Sequence, residues 1–334
     1  MRDMTDGVMI IDLKGEITYI NPSGIAMLGI DDTIGEEFSY AEFMARDEEN
    51  NDVFHQFILD AVYQKNKIHS GVAEYVKGKE KKKLRLSTSF VFDEEKKEKV
   101  GITVVFSDVS EVENLNKMRH DASIIFSVIM SCMCLYLLAY AIIDAIFPSF
   151  STQYLTLIME IMAIISMIII IKTTSISFKS FNLRLTRPLH QMIFPVVVSA
   201  GGVLILALIK WGILQTGAAF NFSSDRFWDI SSIFTFFGLM YPLTALIQEI
   251  LARVMMQTSL NYVFTGKNAN TLSIIVSSLI FMALHIAHGV VYMAGAFILL
   301  SALGLYYQKS RNIWGVTLIH YTFGTVIAVL GFAA

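Results

Sequence analysis

After residue 122 the chain turns almost wholly apolar. Seven runs, about 123–147, 154–171, 192–213, 230–256, 271–288, 290–307 and 312–332, each reach about 18 residues or more. At 1.5 Å of helical rise per residue, a run of that length crosses the ~30 Å hydrocarbon core of a bilayer. Charge is sorted to match: 40 of the 55 charged side chains lie in residues 1–121 and 15 in the remaining 213. One water-soluble globule does not segregate charge in this way. The sequence therefore predicts a soluble module followed by an all-α polytopic transmembrane helical bundle. A net charge of −3 excludes a general nucleic-acid binder. Both cysteines, Cys132 and Cys134, fall in one apolar run, which excludes a disulfide framework and a four-cysteine zinc site. No cleavable signal peptide is expected, because Arg2–Asp6 leads straight into globular sequence.

In the soluble part, Val8–Asp12 and Ile17–Ile20 read as strands joined by a turn at Lys14-Gly15. Asn21-Pro22-Ser23 stops the second strand and starts a helix carrying Ile25, Ala26 and Leu28. Residues 51–64 read as a helix with Val53, Phe54, Phe57, Ile58, Ala61 and Val62 on one stripe. Strands follow at about Gly71–Val76, Lys83–Phe92 and Val100–Phe106, separated by a charged hairpin tip at 93–99. Leu84, Leu86, Thr88, Phe90 and Phe92 alternate with Arg85, Ser87, Ser89 and Val91, the pattern of a sheet with one wet face.

Asp6-Gly7, Asp12-x-x-Gly15-x-Ile17, Asn21-Pro22, Gly29 and the closing stretch from Gly101 through Asp108, Ser110 and Glu111 resemble a PAS domain over about 1–112. The resemblance implies an α+β fold, a five-stranded antiparallel sheet with flanking helices around a sensory pocket. It also implies an exit into an output helix, and Glu111–Asp121 carries Val112, Leu115 and Met118 at helical spacing. Residues 113–122 are thus a helical signalling linker, contiguous with the first apolar run and without Gly or Pro between them. PAS modules commonly pair, so a homodimer through this domain is an expected partner. With no cysteine in this half, a light-sensing flavin adduct is excluded. His55 and His69 are the candidate haem ligands, but haem is not expected, and a small metabolite or no ligand is the reading.

Cations orient the membrane domain, 123–334. With the sensory domain in the cytoplasm, the inner connections 172–191, 257–270 and 308–311 carry Lys172, Lys179, Arg184, Arg187, Lys267, Lys309 and Arg311. The outer connections carry Arg226, with Lys210 placed to snorkel outward from its helix end. This predicts a multi-pass protein of a bacterial cytoplasmic membrane with its N-terminus inside. Within the spans, burying an ionisable group costs ~3 kcal/mol or more, so Glu160, Gln248, Glu249, Arg253, His285, His288 and His320 stand out. Glu249 and Arg253 lie four apart and can pair along a helix. Phe281-x-x-x-His285 sets an aromatic and a histidine on one face, and His320 sits midway along the last span. Three helices thus each deliver a carboxylate or an imidazole. Such a set can polarise water and protonate a leaving amine. Glu249, His285 and His320 can instead form a three-ligand zinc site with one open position. The polar groups can also serve only as glue between helices.

At these residues the chain resembles, over about 150–334, the CPBP family of intramembrane proteases, named for CAAX and bacteriocin processing. The family pattern is Glu-Glu-x-x-x-Arg, then Phe-x-x-x-His, then His-x-x-x-Asn. The resemblance implies an endopeptidase with a polar cavity in the bilayer and a membrane-tethered peptide or protein as substrate. The first Glu activates water, the histidines move protons or stabilise the oxyanion, and the Asn assists. By position these roles fall on Gln248, Glu249, Arg253, His285 and His320. Two residues depart: Gln248 stands for the first Glu and cannot accept a proton, and Gly324 stands for the Asn and offers no side-chain donor. Three explanations compete: Glu249 is the base, the protein is a catalytically degenerate receptor or scaffold, or Gln248 is an engineered inactivation. A solute transporter is the weaker alternative, since no internal repeat is present. Counting rise along straight helices puts Gln248 near the inner face and His285 nearer the outer. A joint site therefore requires 230–264 to break near Pro242, or the His285 helix to start later.

Overall fold

The computed structural model describes residues 5–332 apart from 31–37, 48, 64–69, 94, 96–97, 148, 151, 182, 186, 218–219 and 221. The chain divides into two compact units, Met1–Lys117 and Met118–Ala334.

In the first unit the order is β1 (Gly7–Asp12), β2 (Glu16–Ile20), α1 (Pro22–Leu28), β3 (Phe38–Ser39), α2 (Tyr40–Arg46), α3 (Asp52–Tyr63), β4 (Ser70–Lys77), β5 (Glu80–Phe92) and β6 (Lys99–Asp108). The strands form one antiparallel sheet in the order β3-β2-β1-β6-β5-β4. The five expected strands are all present; the two-residue β3 adds a sixth at the edge, and α2 was not anticipated. Local chemistry explains the turns. The Asp12 carboxylate accepts from the backbone N–H groups of Lys14 and Glu16 at 2.8 and 2.9 Å, closing the β1–β2 hairpin while Gly15 takes φ +89°. The Asn21 side chain accepts from the N–H of Gly24 at 2.8 Å and of Val8 at 2.9 Å, so one amide caps α1 and ties it to β1.

One face of the sheet and the helices enclose a core of Met9, Ile11, Leu28, Phe54, Ile58, Leu84, Leu86, Val104 and Phe106. The expected alternation holds along β5 from Leu84 through Thr88 and fades at Phe92, which is 56% exposed where the strand ends. Val53, expected on the buried stripe of α3, lies outward. His55 is not a surface histidine but a buried one. Its Nδ1 lies 2.9 Å from the Tyr40 hydroxyl and its Nε2 2.8 Å from the Asp47 carboxylate. With both ring nitrogens occupied, it has none to offer a haem iron. Burial raises the Asp47 carboxyl, but hydrogen bonds from Asn51 and His55 outweigh it and hold the group below the usual carboxylate range. His69 and part of the 93–99 tip lie outside the described residues.

α4 (Ser110–Ile146) is one unbroken helix of 37 residues, and the division between the units falls inside it. Then come α5 (Thr152–Thr173), α6 (Pro188–Thr216), α7 (Phe236–Glu249), α8 (Thr258–Val263), α9 (Ala269–Ala283), α10 (Val290–Ser310) and α11 (Ile313–Val329). Among the described residues five helical segments are long and apolar enough to span a bilayer: Ser110–Ile146, Tyr154–Thr173, Pro188–Thr216, Phe236–Val263 and Val290–Ser310. The protein is a multi-pass membrane protein. Two of the seven expected spans come out short, α9 at 15 residues and α11 at 17. α9 stops at Ala283, and the chain leaves helical geometry through a 3₁₀ turn, Ile286–His288, and Gly289 at φ +86°.

Three polar links frame the bundle. The Thr244 hydroxyl of α7 donates to Glu160 of α5 at 2.9 Å, so Glu160 is glue between helices. Asn312 caps the start of α11 and donates to the Gln191 carbonyl of α6 at 2.9 Å. Lys210 of α6, expected to snorkel, is 2% exposed. Its ammonium donates to the carbonyls of Arg226, Phe227 and Leu330 at 2.8, 3.1 and 2.7 Å. All three N–H bonds are thereby used, and Leu330 O lies at the end of α11, so the helix is tied to α6 at both ends.

Candidate active site

Of the two ways to a joint site, a break of 230–264 near Pro242 does not occur; the interruption lies earlier, between the 3₁₀ turn Ile230–Phe234 and α7. α7 runs through Pro242 and keeps helical geometry to Glu249; the departure comes next, as a π-helical stretch over Ile250–Gln257. π turns gather at functional sites because the wider turn re-aims the side chains around it. The Thr258 hydroxyl donates to the Arg253 carbonyl at 2.8 Å inside this widened turn.

Glu249 and Arg253 are 0% exposed and His320 6%. The Arg253 Nε–H donates to Glu249 Oε2 at 2.9 Å, and His320 Nδ1 lies 2.6 Å from Glu249 Oε1. A carboxylate beside a guanidinium is an acceptor, so Nδ1 of His320 carries a proton and donates it to Glu249. Arg253 is satisfied on its other edges: Nη2 donates to the Leu300 carbonyl at 2.8 Å and Nη1 to Gln257 Oε1 at 3.0 Å. Gln257 in turn donates to the Gly304 carbonyl at 3.0 Å. Gly304 makes room for this chain, since a Cβ there would stand 3.0 Å from both Arg253 Nη1 and Gln257 Oε1. The result is a buried polar line, His320–Glu249–Arg253–Gln257, ending on the backbone of α10. Burying an unpaired carboxylate costs several kcal/mol, and the line offsets that by pairing every member.

His285 sits just past the end of α9. Its Nδ1 lies 2.8 Å from the Phe281 carbonyl, which can only accept, so this imidazole too is protonated at Nδ1 and free to accept at Nε2. It lies within electrostatic reach of His320 and His288, and its ring stacks on Tyr292 at 5.7 Å between centroids. His288, three residues on, packs against the same tyrosine at 4.8 Å.

Gln248 is not among this group. It lines a separate cavity of about 40 Å³ whose walls include Ile129, Met133, Tyr136, Met162 and Phe281. Among the described residues it has no hydrogen-bond partner. The structure thus brings Glu249, Arg253 and His320 into direct contact, sets His285 nearby and turns Gln248 aside. Nor do the gathered residues fit the zinc site considered for Glu249, His285 and His320. Both Glu249 oxygens are engaged, a guanidinium holds one of them, and no three His, Cys, Asp or Glu side chains among the described residues are grouped to hold an ion.

Sequence reasoning missed Gln257 and Tyr241. Tyr241 sets its ring edge-on to His320, 6.3 Å between centroids, and its hydroxyl interacts electrostatically with Glu249 and Tyr292. Both could have been found, because residues 241, 245, 249, 253 and 257 recur every fourth position, and four of the five are polar in an otherwise apolar run.

A buried carboxylate–imidazole pair thus lies in a polytopic helical unit, on one chain with an antiparallel α+β sheet. Residues 230–326 match the family model described as type II CAAX prenyl endopeptidase Rce1-like, and residues 1–61 match that of the PAS domain. Both matches are shorter than the resemblances read from the sequence. Among solved structures, the PAS domain of a Colwellia psychrerythraea protein is similar at 14% identity, covering 33% of this chain and 91% of that one, with a TM-score of 0.27. The PAS domain of Bordetella pertussis BvgS is similar at 13% identity over 35% and 86%, with a TM-score of 0.26. The sensor region of a sensor histidine kinase gives 17% over 32% and 40%, with a TM-score of 0.24. No curated protein matches the chain.

Proposed function

We propose that the membrane unit is an intramembrane endopeptidase that hydrolyses a membrane-tethered peptide, and that the cytoplasmic PAS unit regulates it. The observation that carries the reading is the buried Glu249–His320 pair, 2.6 Å apart, inside a region matching a CAAX endopeptidase family. A carboxylate on Nδ1 fixes the tautomer that leaves Nε2 as a base. In the proposed cycle His320 Nε2 takes a proton from water as the water oxygen attacks the scissile carbonyl carbon. Glu249, held by Arg253, stabilises the imidazolium that forms. The proton then passes to the amide nitrogen, the C–N bond breaks, and an amine and a carboxylic acid leave, the acid losing its remaining proton to solvent. His285 orients the water through Nε2. Gln248 takes no part as base, which agrees with its neutral amide and its place on the apolar cavity. The family name points to prenylated CAAX peptides, which are one kind of membrane-tethered peptide.

Glu249→Ala, His285→Ala and His320→Ala should each abolish cleavage of a membrane-tethered reporter by the purified full chain in lipid. Wild-type protein that cuts no member of a broad peptide panel would sink the reading and leave a sensing receptor or scaffold. For regulation, α4 crosses the division between the units without a break. Inserting two to four glycines beside His120 should leave cleavage intact but unresponsive to signal; unchanged regulation would dismiss a relay through this helix.

A further inference from the structure

Peptide hydrolysis needs more than a base. As water attacks, negative charge gathers on the carbonyl oxygen, and a preorganised donor aimed at that oxygen is commonly the largest single contribution to rate. The groups gathered around Glu249 are poor in free donors. The Nδ1–H of His320 is given to Glu249 and that of His285 to the Phe281 carbonyl, so neither is left to meet an oxyanion. Arg253 directs Nε, Nη1 and Nη2 to Glu249, Gln257 and Leu300. The amide of Gln248 borders the other cavity.

Tyr241 supplies what is lacking. It lies on α7 two helical turns before Glu249, on the same stripe. Across from it on α11, Gly324 follows His320 by one turn. A Cβ at 324 would run into the Tyr241 hydroxyl oxygen and stand 2.6 Å from Cζ and 2.8 Å from Cε1. The phenol head therefore lies against the α11 backbone in space that only glycine leaves open. α7 and α11 face each other with two rungs, Glu249 on His320 and Tyr241 on Gly324. The hydroxyl is within electrostatic reach of Glu249 and Tyr292, and among the described residues no acceptor is paired with it.

We propose that the Tyr241 hydroxyl is the oxyanion donor of this site, and that Gly324 is glycine so that the phenol can reach it. The proton stays on the tyrosine. The O–H donates a hydrogen bond to the carbonyl oxygen as it becomes an alkoxide, and releases it when the C–N bond breaks. The assignment rests on the endopeptidase reading above.

The test is steady-state cleavage of the reporter by full-length variants in lipid, with folding checked by thermal unfolding. Tyr241→Phe keeps the ring and removes the donor, and should lower kcat ~10²–10³-fold with KM within about threefold, the loss typical of one oxyanion donor. Gly324→Ala should lower kcat comparably although the tyrosine remains, because the new methyl displaces its hydroxyl. Tyr241→Ala combined with Gly324→Asn sets a side-chain amide in the vacated space and should recover at least about tenfold in kcat over Tyr241→Ala alone, a gain that a packing role would not give. Tyr321→Phe removes a neighbouring hydroxyl from a ring 5.9 Å from Tyr241 and should stay within about threefold of wild type. Active wild type with Tyr241→Phe at full kcat would overturn the Tyr241 assignment and leave the endopeptidase reading standing. Wild type inert on every substrate would overturn that reading, and this one with it.

Discussion

Replacing Arg253 by methionine is the sharpest probe of the buried polar line. Methionine is near the arginine stem in volume and flexible enough to fill its path between the π-helical stretch and α10. It removes the cation 2.9 Å from Glu249 and the donors to Leu300 O and Gln257. Glu249, with a side chain 0% exposed, cannot turn to water. Breaking one partner of a buried pair costs about 3–5 kcal/mol, because the remaining charge stays buried and uncompensated. For a cooperative unit of roughly 200 residues this lowers Tm by about 6–20 °C. Adding Glu249→Gln removes the stranded charge, so the double variant should regain more than half of the loss. Thermal unfolding of the purified chain in one lipid composition reads all four members of the cycle. If Arg253→Met leaves Tm unchanged, or if the two losses simply add, Glu249 is not held as a charged group by Arg253, and the ionised Glu249–His320 pair loses its support.

Gln248→Glu should change kcat less than about tenfold, since residue 248 lines an apolar cavity and is not hydrogen-bonded to Glu249 or His320; creation of activity in an inert wild type would identify a degenerate protease instead. Asp47 gives the first unit an acid limit. Its carboxyl is held below the ordinary value near 4, so it favours the folded state fully above that value and loses the contribution as pH falls through its lower folded value. Asp47→Asn should remove this component from the acid-unfolding curve of the full chain, followed by circular dichroism, and an unaltered acid limb would refute it. Lys210→Met leaves three carbonyls without their donor and should cost at least about 1–3 kcal/mol, the penalty for even one orphaned polar group, read as a fall in Tm; no fall would mean that the ammonium is not what fastens α11.

The sensory sheet was readable because its determinants are local. The alternation through Leu84 and Thr88, the turn at Lys14-Gly15 and the cap at Asn21 each act within a few residues. Glu249 and Arg253 were readable as a pair for the same reason, being one helical turn apart. What escaped depends on partners far along the chain. The two-residue β3 has no period to detect. The side chains of Arg253 and Gln257 on the π stretch need room that Gly304 makes on another helix, and α9 ends early because 284–289 turns away toward α10. The depth count from straight helices does not apply either, because α7 begins only at Phe236, after a 3₁₀ turn over Ile230–Phe234, and α9 ends at Ala283. His55 looked like any exposed histidine until Tyr40 and Asp47 were seen to hold both its nitrogens. Gly324 read as a missing donor; only the fold shows the phenol opposite it.

Fastened to α6 through Asn312 at its start and through Lys210 at its end, α11 has little freedom to slide along its axis. The imidazole and glycine it carries form an immobile wall. On the opposite side, His285 hangs from a short non-helical joint between α9 and α10. Any movement between the two is therefore expected of 284–289 and not of the last helix, both of whose ends are fastened.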